Sequence, residues 1–434
     1  MHPFRPPISN IWGGRGTKHV DFGPDEVIPL QKGRFLGHGV NGGVYETYHN
    51  GIALAWKTKY CRTSSAAVNA QKEIQVLKKL KHHHIVSLVG TYTHRQFLGL
   101  LLWPVAACDL GVLLEDIDKV LDPMYFQRRP DTLENERRDR IRDLGFSVLG
   151  LSLTSNKEDL RKRMLRSFGC LTSAIAYLHK ERIRHKDLKP SNVLFSETGV
   201  WITDFDVSTD FSILSVSATE NGERGTAKYF APEVAAYEPS GRSADVFSLG
   251  CMFLEMTVAL SFSCSLEDLI QLRPKRDRSY QANIDRLEAW LELGDQLFPG
   301  EPRLSREIMR MLDIDPTKRP TADEVLDHLI EIGLLLTIDR DPSTLCGPCC
   351  VKPAFSSLSK ENSLKEIFAN QQKQRVTTAP TRENQLSNSK EMKEKVVVET
   401  YPILDDVQSR ISRMQKEKQF AVAVRHSASV GPVI

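Results

Sequence analysis

The residues with the clearest chemical potential lie in one short stretch, HKDLKPSNVLF, at positions 185–195. Asp187 can accept a hydroxyl proton, Lys189 can neutralise charge on a moving phosphoryl group, and Asn192 can bind a metal ion. Asp204, in the nearby sequence ITDFD, supplies a carboxylate suited to bridging such a metal. Their spacing indicates phosphoryl transfer, and the other elements must then hold a nucleotide above this loop.

Two upstream motifs fit that requirement. Gly37, Gly39 and Gly42 in LGHGVNGGVYE match G-x-G-x-x-G, and glycines let a hairpin backbone approach phosphates closely. The motif lies between two predicted strands, whereas a dinucleotide-binding version would open a helix. Lys57 ends ALAWK on the next strand, and Glu73 lies on the following predicted helix, where the two can form an ion pair.

The order of these motifs resembles that of the eukaryotic protein kinases, in their serine/threonine form. Further matches are Ala231-Pro232-Glu233, Asp245 in DVFSLG and Arg319 in DPTKRPTA. The resemblance covers about residues 33–336, and LLLWPVAACDL is similar to kinases of filamentous fungi. It implies an α+β, two-lobed kinase fold, with a β-rich N-lobe carrying one main helix and a larger helical C-lobe.

The resemblance also implies ATP and Mg²⁺ as cofactors, with Mn²⁺ as an alternative ion. The catalytic residues would be Asp187, Lys189, Lys57 and Glu73, and the metal ligands would be Asn192 and Asp204. The residues expected around ATP are Leu36, Gly37, Gly39, Gly42, Val44, Ala55, Lys57, Leu102, Trp103, Val105, Asp109 and Leu194. Within that set, Leu102 would be the gatekeeper, and the Trp103 carbonyl and Val105 amide would bind the adenine edge.

The resemblance also implies roles for several C-lobe residues. Some would form a platform for the protein substrate, and others would stabilise the lobe. The substrate platform would comprise Thr226, Ala231, Pro232 and Glu233, and the structural residues would be Asp245 and Arg319. A stacked spine would comprise Leu77, Leu88, His185 and Phe205. The DLKPSN sequence and Thr226 indicate serine and threonine hydroxyls on proteins as acceptors. No nucleic-acid partner is expected at a net charge of +3.

Two departures from the family pattern bear on activity. Lys186 replaces an arginine that in the family reads an activation-loop phosphate, and lysine lacks the bidentate fork. Asp206 stands where the family has glycine, although Asp tolerates left-handed backbone better than most residues. An active kinase is the favoured interpretation, and a pseudokinase scaffold, silenced by Asp206, is the alternative. Candidate phosphorylation sites follow at Ser212, Ser215, Ser217 and Thr219.

Composition shifts divide the chain into three predicted regions. Residues 1–32 form an extended N-terminal arm, residues 33–336 form the kinase domain, and residues 337–434 form a mostly disordered tail. The domain divides into an N-lobe at about 33–102 and a C-lobe at about 106–336, with a charged, irregular insertion at about 118–156. The segment SSAAVNAQKEIQVLKKLK predicts a helix whose buried side includes Val68, Ile74, Leu77 and Leu80.

Two groups of potential metal ligands stand apart from these motifs. His82, His83 and His84 are consecutive, so they cannot all face one ion, and they fit the turn after the main N-lobe helix. Cys346, Cys349 and Cys350 lack an obvious fourth zinc ligand nearby. Free thiols in a mobile tail are the favoured interpretation, and S-acylation, giving membrane association, is the alternative.

The start of the chain lacks a secretory signal, and no apolar run is long enough to span a membrane, so a cytoplasmic or nuclear location is expected. The substrate, the pathway and the oligomeric state do not follow from the sequence.

Overall fold

The computed structural model describes residues 12, 18–39, 42–61, 63–120, 132–146, 153–210, 226–261, 263–336 and 341–351. All of them belong to one compact unit, Met1–Glu366. The predicted phosphorylation sites at 212–219 and the tail beyond Val351 lie outside the described residues.

The N-lobe is a six-stranded sheet with one helix. Its strands are β1 (His19–Phe22), β2 (Phe35–Gly39), β3 (Gly42–His49), β4 (Ile52–Tyr60), β5 (Ser87–His94) and β6 (Phe97–Trp103), in the spatial order β1-β5-β6-β4-β3-β2. The five strands from β2 to β6 pair antiparallel with their neighbours. This sheet and its single helix confirm the β-rich N-lobe.

The helix α1 (Ser64–Lys79) lies between β4 and β5, where the apolar spacing predicts a helix. Ile74, Leu77 and Leu80 are buried against the rest of the molecule. Val68 was expected on the same side, but its side chain is 48% exposed, so this part of the prediction is wrong. The packed face of α1 therefore lies toward its C-terminal half, which also carries Glu73.

The arm at the N-terminus is partly integrated into the N-lobe rather than simply extended. Its strand β1 pairs parallel to β5, with His19 opposite Thr91. The Trp12 indole is buried, and it donates a hydrogen bond to the Lys18 carbonyl at 3.0 Å. A side chain on Gly90 would overlap that indole, since its Cβ would lie 2.2 Å from the ring. The predicted boundary at residue 32 thus cuts through one packed sheet.

The C-lobe is mainly helical, as expected. Its helices are α2 (Leu110–Val120), α3 (Thr132–Asp143), α4 (Leu153–Lys180), α5 (Pro232–Ala235), α6 (Arg242–Ala259), α7 (Leu266–Gln271), α8 (Leu287–Asp295), α9 (Arg303–Met311) and α10 (Ala322–Leu336). Short strands β7 (Cys108–Asp109), β8 (Ile183–Arg184), β9 (Val193–Ser196), β10 (Gly199–Ile202) and β11 (Thr209–Asp210) carry the loops of the cleft. Helix α6 is buried along most of its length and lies at the centre of the core.

The charged insertion is more ordered than the sequence predicts. Within it, Thr132–Asp143 form α3, although no strong apolar face marks a helix there. Asp116 of α2 is buried and accepts hydrogen bonds from Arg137 at 3.0 Å and from Arg140 at 2.8 Å. Ile141 of α3 is buried in the apolar core whereas Leu133 is 67% exposed, so the helix has little apolar periodicity and was missed. Residues 121–131 and 147–152 of the insertion lie outside the described residues.

The segment 341–351 corrects the boundary of the predicted tail. It folds back onto α4, where the Gly169 N–H donates to the Leu345 carbonyl at 2.7 Å. Cys346 is fully buried and Cys350 is nearly so, and both belong to the main apolar core. Buried thiols are inaccessible to acyl transfer, which argues against Cys346 and Cys350 as a membrane anchor. In the described part of the chain, no helix is both long and apolar enough to cross a membrane.

Candidate active site

The ion pair expected between the N-lobe strand and helix is formed. Lys57 lies on β4 with its side chain buried, and its Nζ donates to Glu73 Oε1 of α1 at 3.1 Å. The same Nζ donates to Asp204 Oδ1 at 2.7 Å. Removing both charges from water is costly, so the pair requires close geometry and further partners. Lys57 therefore joins the N-lobe helix to the loop that carries Asp204.

Lys59 is a member of this cluster that the sequence analysis did not identify. Side chains two residues apart on a strand share one face, so Lys59 follows Lys57 into the interior. Its ammonium forms ion pairs with Glu73 and with Asp206, and its side chain is 7% exposed. Two features of the sequence could have revealed this pair. One is a second lysine two residues after Lys57 on the same strand, and the other is the aspartate at position 206, where the family has glycine.

Asp206 is thus a partner within the cluster rather than an isolated extra charge. Its carboxylate lies 3.5 Å from Lys57 Nζ and forms the ion pair with Lys59. The positive charge of Lys59 offsets the negative charge of Asp206. The formal charge of the cluster is therefore the same as that of Lys57, Glu73 and Asp204 alone. Because Lys59 compensates its charge, Asp206 is not expected to weaken metal binding at Asp204 strongly.

The protonation of the two acidic groups differs because of their surroundings. Burial raises the pKa of Glu73, although Lys57 and Lys59 act in the opposite direction. Burial would also raise the pKa of Asp206, but Lys57, a hydrogen bond with Glu73 and Lys59 together hold it below its ordinary value. The Asp206 carboxylate is accordingly charged, and Glu73 is the group that takes a proton more readily.

The catalytic loop is closed by hydrogen bonds among its predicted residues. Lys189 Nζ donates to Asp187 Oδ2 at 2.8 Å and to Thr226 Oγ1 at 2.7 Å. Asn192 Nδ2 donates to the Asp187 carbonyl at 2.8 Å and to its Oδ2 at 3.2 Å. The Thr226 N–H donates to Asp187 Oδ1 at 2.7 Å. The structure brings these four side chains together and aims both Asp187 oxygens at fixed donors.

Asp245 holds this loop from below. Its Oδ2 accepts from the His185 N–H at 3.0 Å and from His179 Nε2 at 3.0 Å, and its Oδ1 accepts from the Lys186 N–H at 2.9 Å. Burial opposes the charge, but the hydrogen bond from His179 and its neighbours lower the pKa of Asp245. Lys186 has a left-handed backbone, with φ of 68°, which these bonds help to fix.

The loop of Asp204 is connected to the catalytic loop in two ways. Asp204 itself is in the left-handed region, with φ of 64°. His185 Nε2 donates to the Thr203 carbonyl at 3.0 Å, and the His185 and Phe205 rings have centroids 5.0 Å apart. Leu77 is buried in the same core and Leu88 packs against it. The arrangement of these four residues as one stacked spine stays a prediction beyond the contact between His185 and Phe205.

The proposed nucleotide positions form two walls of the cleft. The hairpin of β2 and β3 places Gly37 opposite Val44 and Gly39 opposite Gly42, with Leu36 beside them. Only glycine fits at Gly42, because a Cβ there would lie 1.9 Å from the Thr58 carbonyl oxygen. The remaining positions are Ala55 paired with Leu102 across β4 and β6, Leu194 on β9, and Trp103 and Val105 at the junction of the lobes.

Asp109 serves as the cap of a helix. Its Oδ1 accepts from the Val112 N–H at 3.0 Å, at the start of α2. This bond uses one carboxylate oxygen of a residue that the resemblance places beside ATP. Asp109 also pairs with Leu194 between β7 and β9, so both predicted nucleotide positions lie at one point of the cleft.

The substrate platform is braced by the predicted pair of Glu233 and Arg319. Arg319 Nη1 and Nη2 donate to the two Glu233 oxygens at 2.7 and 2.8 Å, with both side chains buried. Ala231 and Pro232 lead into α5, which carries Glu233. The pair connects this platform to the loop before α10, as the predicted structural role requires.

The metal expected from this architecture can be tested against the donors present. Asn192 and Asp204 offer amide and carboxylate oxygens, the ligands that Mg²⁺ prefers, at the cleft beside Asp187. Asp204 is partly exposed, so an ion can reach it, and no described atom outside residues 36–38 lies within 4 Å of where a Cβ on Gly37 would be. The donor set therefore fits Mg²⁺ with a nucleotide.

Comparisons with known proteins agree with this geometry. The family model for the protein kinase domain matches residues 151–330. Mitogen-activated protein kinase kinase kinase A of Dictyostelium discoideum is 24% identical over 329 residues, covering 72% of this chain and 29% of that protein. Mitogen-activated protein kinase kinase kinase 3 of Mus musculus is 26% identical over 321 residues, covering 70% of this chain and 42% of that protein.

Another similar protein is serine/threonine-protein kinase 33 of Mus musculus, 25% identical over 329 residues, which cover 72% of this chain and 57% of that protein. The chain thus spans less than half of the length of the first two relatives. The fold is the two-lobed kinase fold. Residues 151–330 thus match the protein kinase domain family, and the relatives named above are described as protein kinases, one of them as a serine/threonine-protein kinase.

Proposed function

We propose that the chain transfers the γ-phosphoryl group of Mg-ATP to serine or threonine hydroxyls of proteins. The observation that supports this most strongly is the assembled set of Lys57, Glu73, Asp187, Asn192 and Asp204, whose mutual contacts are described above. A kinase fold that has lost its chemistry commonly lacks one of these groups. Here all five are present, and the additional charge at Asp206 has its own partner in Lys59.

Each residue has a distinct task in the proposed reaction. Asp187 would orient the acceptor hydroxyl and accept its proton, and its two oxygens are already positioned by Thr226 and Lys189. Lys189 would neutralise charge on the moving phosphoryl group. Lys57 would hold the α- and β-phosphates in an orientation set by Glu73. Positioning and charge neutralisation supply most of the rate enhancement in this chemistry.

The bound metal would sit on Asn192 and Asp204 and neutralise the phosphates, with Mn²⁺ as an alternative ion. The glycine hairpin, with Leu36 and Val44, would cover the nucleotide, and Ala55, Leu102 and Leu194 would enclose its base. The Trp103 carbonyl and the Val105 amide would bind the adenine edge, and Asp109 the ribose. Cytoplasm or nucleus is the proposed location, because an ATP-dependent kinase with eight thiols suits a reducing compartment.

The proposal is tested by phosphate transfer from labelled Mg-ATP to a generic basic protein and to the chain itself. The Asp187→Asn variant keeps the size of the side chain but cannot accept the proton. We expect its transfer rate to fall by about 10²- to 10⁴-fold. Thermal unfolding of the variant, compared with the wild type, controls for damage to the fold.

The same assay separates the active kinase from the pseudokinase scaffold. We expect the wild-type chain to transfer label without any change at position 206. Transfer by Asp206→Gly alone would show a kinase fold silenced at that residue. Absence of transfer by both proteins, with Mg-ATP binding retained, would contradict the proposed activity and leave a scaffold.

A further inference from the structure

Four potential metal ligands converge where the turn after α1 meets the segment 341–351, and none of them belongs to the proposed catalytic set. One ligand atom from each of His83, His84, Cys349 and Cys350 lies within 4.8 Å of each of the others. The two histidines lie in the turn between α1 and β5, and the two cysteines lie in the segment 341–351. More than 260 residues separate the two pairs, so no local sequence pattern reveals the group.

The distances within this group are near those of a tetrahedral site. His83 Nε2 lies 3.0 Å from Cys350 Sγ, and His84 Nε2 lies 3.3 Å from Cys349 Sγ. Zinc–nitrogen bonds of about 2.0–2.1 Å and zinc–sulfur bonds of about 2.3 Å place tetrahedral nitrogen and sulfur ligands roughly 3.5 Å apart. Small outward shifts of the side chains would therefore make room for an ion between them.

The orientation of His84 favours a metal over a simple packing role. Its Nδ1 lies 2.9 Å from the Val200 carbonyl oxygen, to which it can only donate. Nε2 of the neutral ring then carries the lone pair, and that is the atom facing Cys349. Metal-binding histidines are commonly fixed in this way by a hydrogen bond from the second ring nitrogen.

The cysteine segment is held in place before any ion binds. The Gly169 N–H donates to the Leu345 carbonyl at 2.7 Å. Gly169 and Gly347 permit the close approach, since a Cβ on Gly169 would lie 2.5 Å from Cys346 Cβ, and one on Gly347 would lie 2.7 Å from Cys170 Sγ. This close packing fixes Cys349 and Cys350 beside the histidine turn.

We propose that His83, His84, Cys349 and Cys350 bind one zinc ion in a structural site. Two imidazoles and two thiolates are a ligand set that zinc favours, and four protein ligands leave no open position for catalysis. Two thiolates neutralise the Zn²⁺ charge, which suits a partly buried site. The ion would attach the segment 341–351 to the turn that follows α1, the helix that carries Glu73.

The main rival to zinc is a disulfide. Cys170 Sγ of α4 lies 3.8 Å from Cys349 Sγ, so oxidation of that pair would need only a small movement. A disulfide would consume Cys349 and remove one of the four ligands. The two interpretations therefore make opposite predictions for the same purified protein.

The first measurement is the metal content of the full chain, purified without chelator, by inductively coupled plasma mass spectrometry. We expect about one zinc per chain in the wild type. Cys349→Ser and Cys350→Ser should each lose most of it, whereas Cys264→Ser should keep it. Cys264 is a matched control because it is a partly exposed C-lobe thiol outside the group.

A second measurement begins with the wild-type protein, so its first readout does not depend on the folding of any variant. Exchange of the wild-type metal for Co²⁺ should produce the thiolate charge-transfer and tetrahedral d–d absorption bands of an N₂S₂ site. Removal of zinc by a chelator should lower the melting temperature of the wild type and leave that of Cys350→Ser unchanged. Neither readout requires phosphoryl transfer, so this proposal can fail while the proposed kinase activity stands.

Three results would overturn the proposal. One is a metal-free wild type whose cobalt form lacks these bands. Another is a Cys170–Cys349 disulfide detected by peptide mass spectrometry in the freshly purified chain. The third is a full zinc content in a folded protein that carries both Cys349→Ser and Cys350→Ser, since the ion would then lie elsewhere.

Discussion

Two buried groups of charges in this molecule use the same interactions in different ways. In the C-lobe, Arg319 donates through all three nitrogens, to both Glu233 oxygens and to the carbonyls of Asp313, Ser243 and Ile314. In the cleft, two lysines share three carboxylates, and no donor is confined to one partner. Among the described residues, the closed Glu233–Arg319 pair has no partner to exchange, whereas the two lysines of the cleft would be able to exchange carboxylates for phosphates if the proposed nucleotide binds.

The largest expected effect comes from breaking the closed pair. Arg319→Ala leaves the Glu233 carboxylate buried without its cation, so we expect the free energy of unfolding to fall by about 3–5 kcal/mol. Urea unfolding measures this loss. Arg303→Ala is the matched control, because its ion pair with Glu301 is partly exposed and should contribute roughly 0.2–1 kcal/mol. Equal losses in the two variants would refute the bracing role.

An intermediate effect is expected at the attachment of α3. Asp116 is buried, but its partners Arg137 and Arg140 keep contact with solvent. Asp116→Ala should therefore cost about 1–3 kcal/mol, less than loss of the C-lobe pair. Hydrogen exchange should speed up in α3 while α6 stays protected. Asp139→Ala removes an exposed pair with Arg142 on the same helix and should leave α3 exchange unchanged.

The smallest effect on stability, and the sharpest test of sharing, concerns Lys59 and Asp206. Lys59→Met leaves Asp206 to compete for Lys57, and Asp206→Gly leaves Lys59 to compete for Glu73. Each single change should lower kcat/KM for ATP by roughly tenfold, and the double variant should recover most of the loss. This corresponds to a coupling energy of about 0.5–3 kcal/mol between the two sites. Additive losses would show that the two residues act independently.

Three of the proposed catalytic and metal-binding residues were predictable because they are close together in sequence. Asp187, Lys189 and Asn192 belong to one loop, so a single short segment of the sequence is enough to predict their contacts. Lys59 was not identified, although strand alternation puts it on the face of Lys57. Its role depends on Asp206, which is 147 residues away and reaches it only through the fold.

The histidine and cysteine group was rejected on the sequence for a related reason. The histidine turn alone and the cysteine segment alone each lack enough ligands for an ion. Judged only by their neighbours in sequence, both were therefore correctly rejected. Only the return of segment 341–351 to the N-lobe turn joins His83 and His84 with Cys349 and Cys350. Helix α3 packs through the buried Ile141 and through the contacts of Arg137 and Arg140 with Asp116, so its sequence shows little apolar periodicity.

The parallel pairing of β1 with β5 covers one side of the sheet and so affects the tendency of the protein to self-associate. Without β1, strand β5 would present a row of unpaired N–H and C=O groups at the side of the sheet, a template for pairing with another chain. A chain shortened to begin at Gly33 should therefore self-associate, even with every residue of the cleft intact. During synthesis β1 is made before β5. The strand that covers this side of β5 is therefore already present when Thr91, the partner of His19, is synthesised.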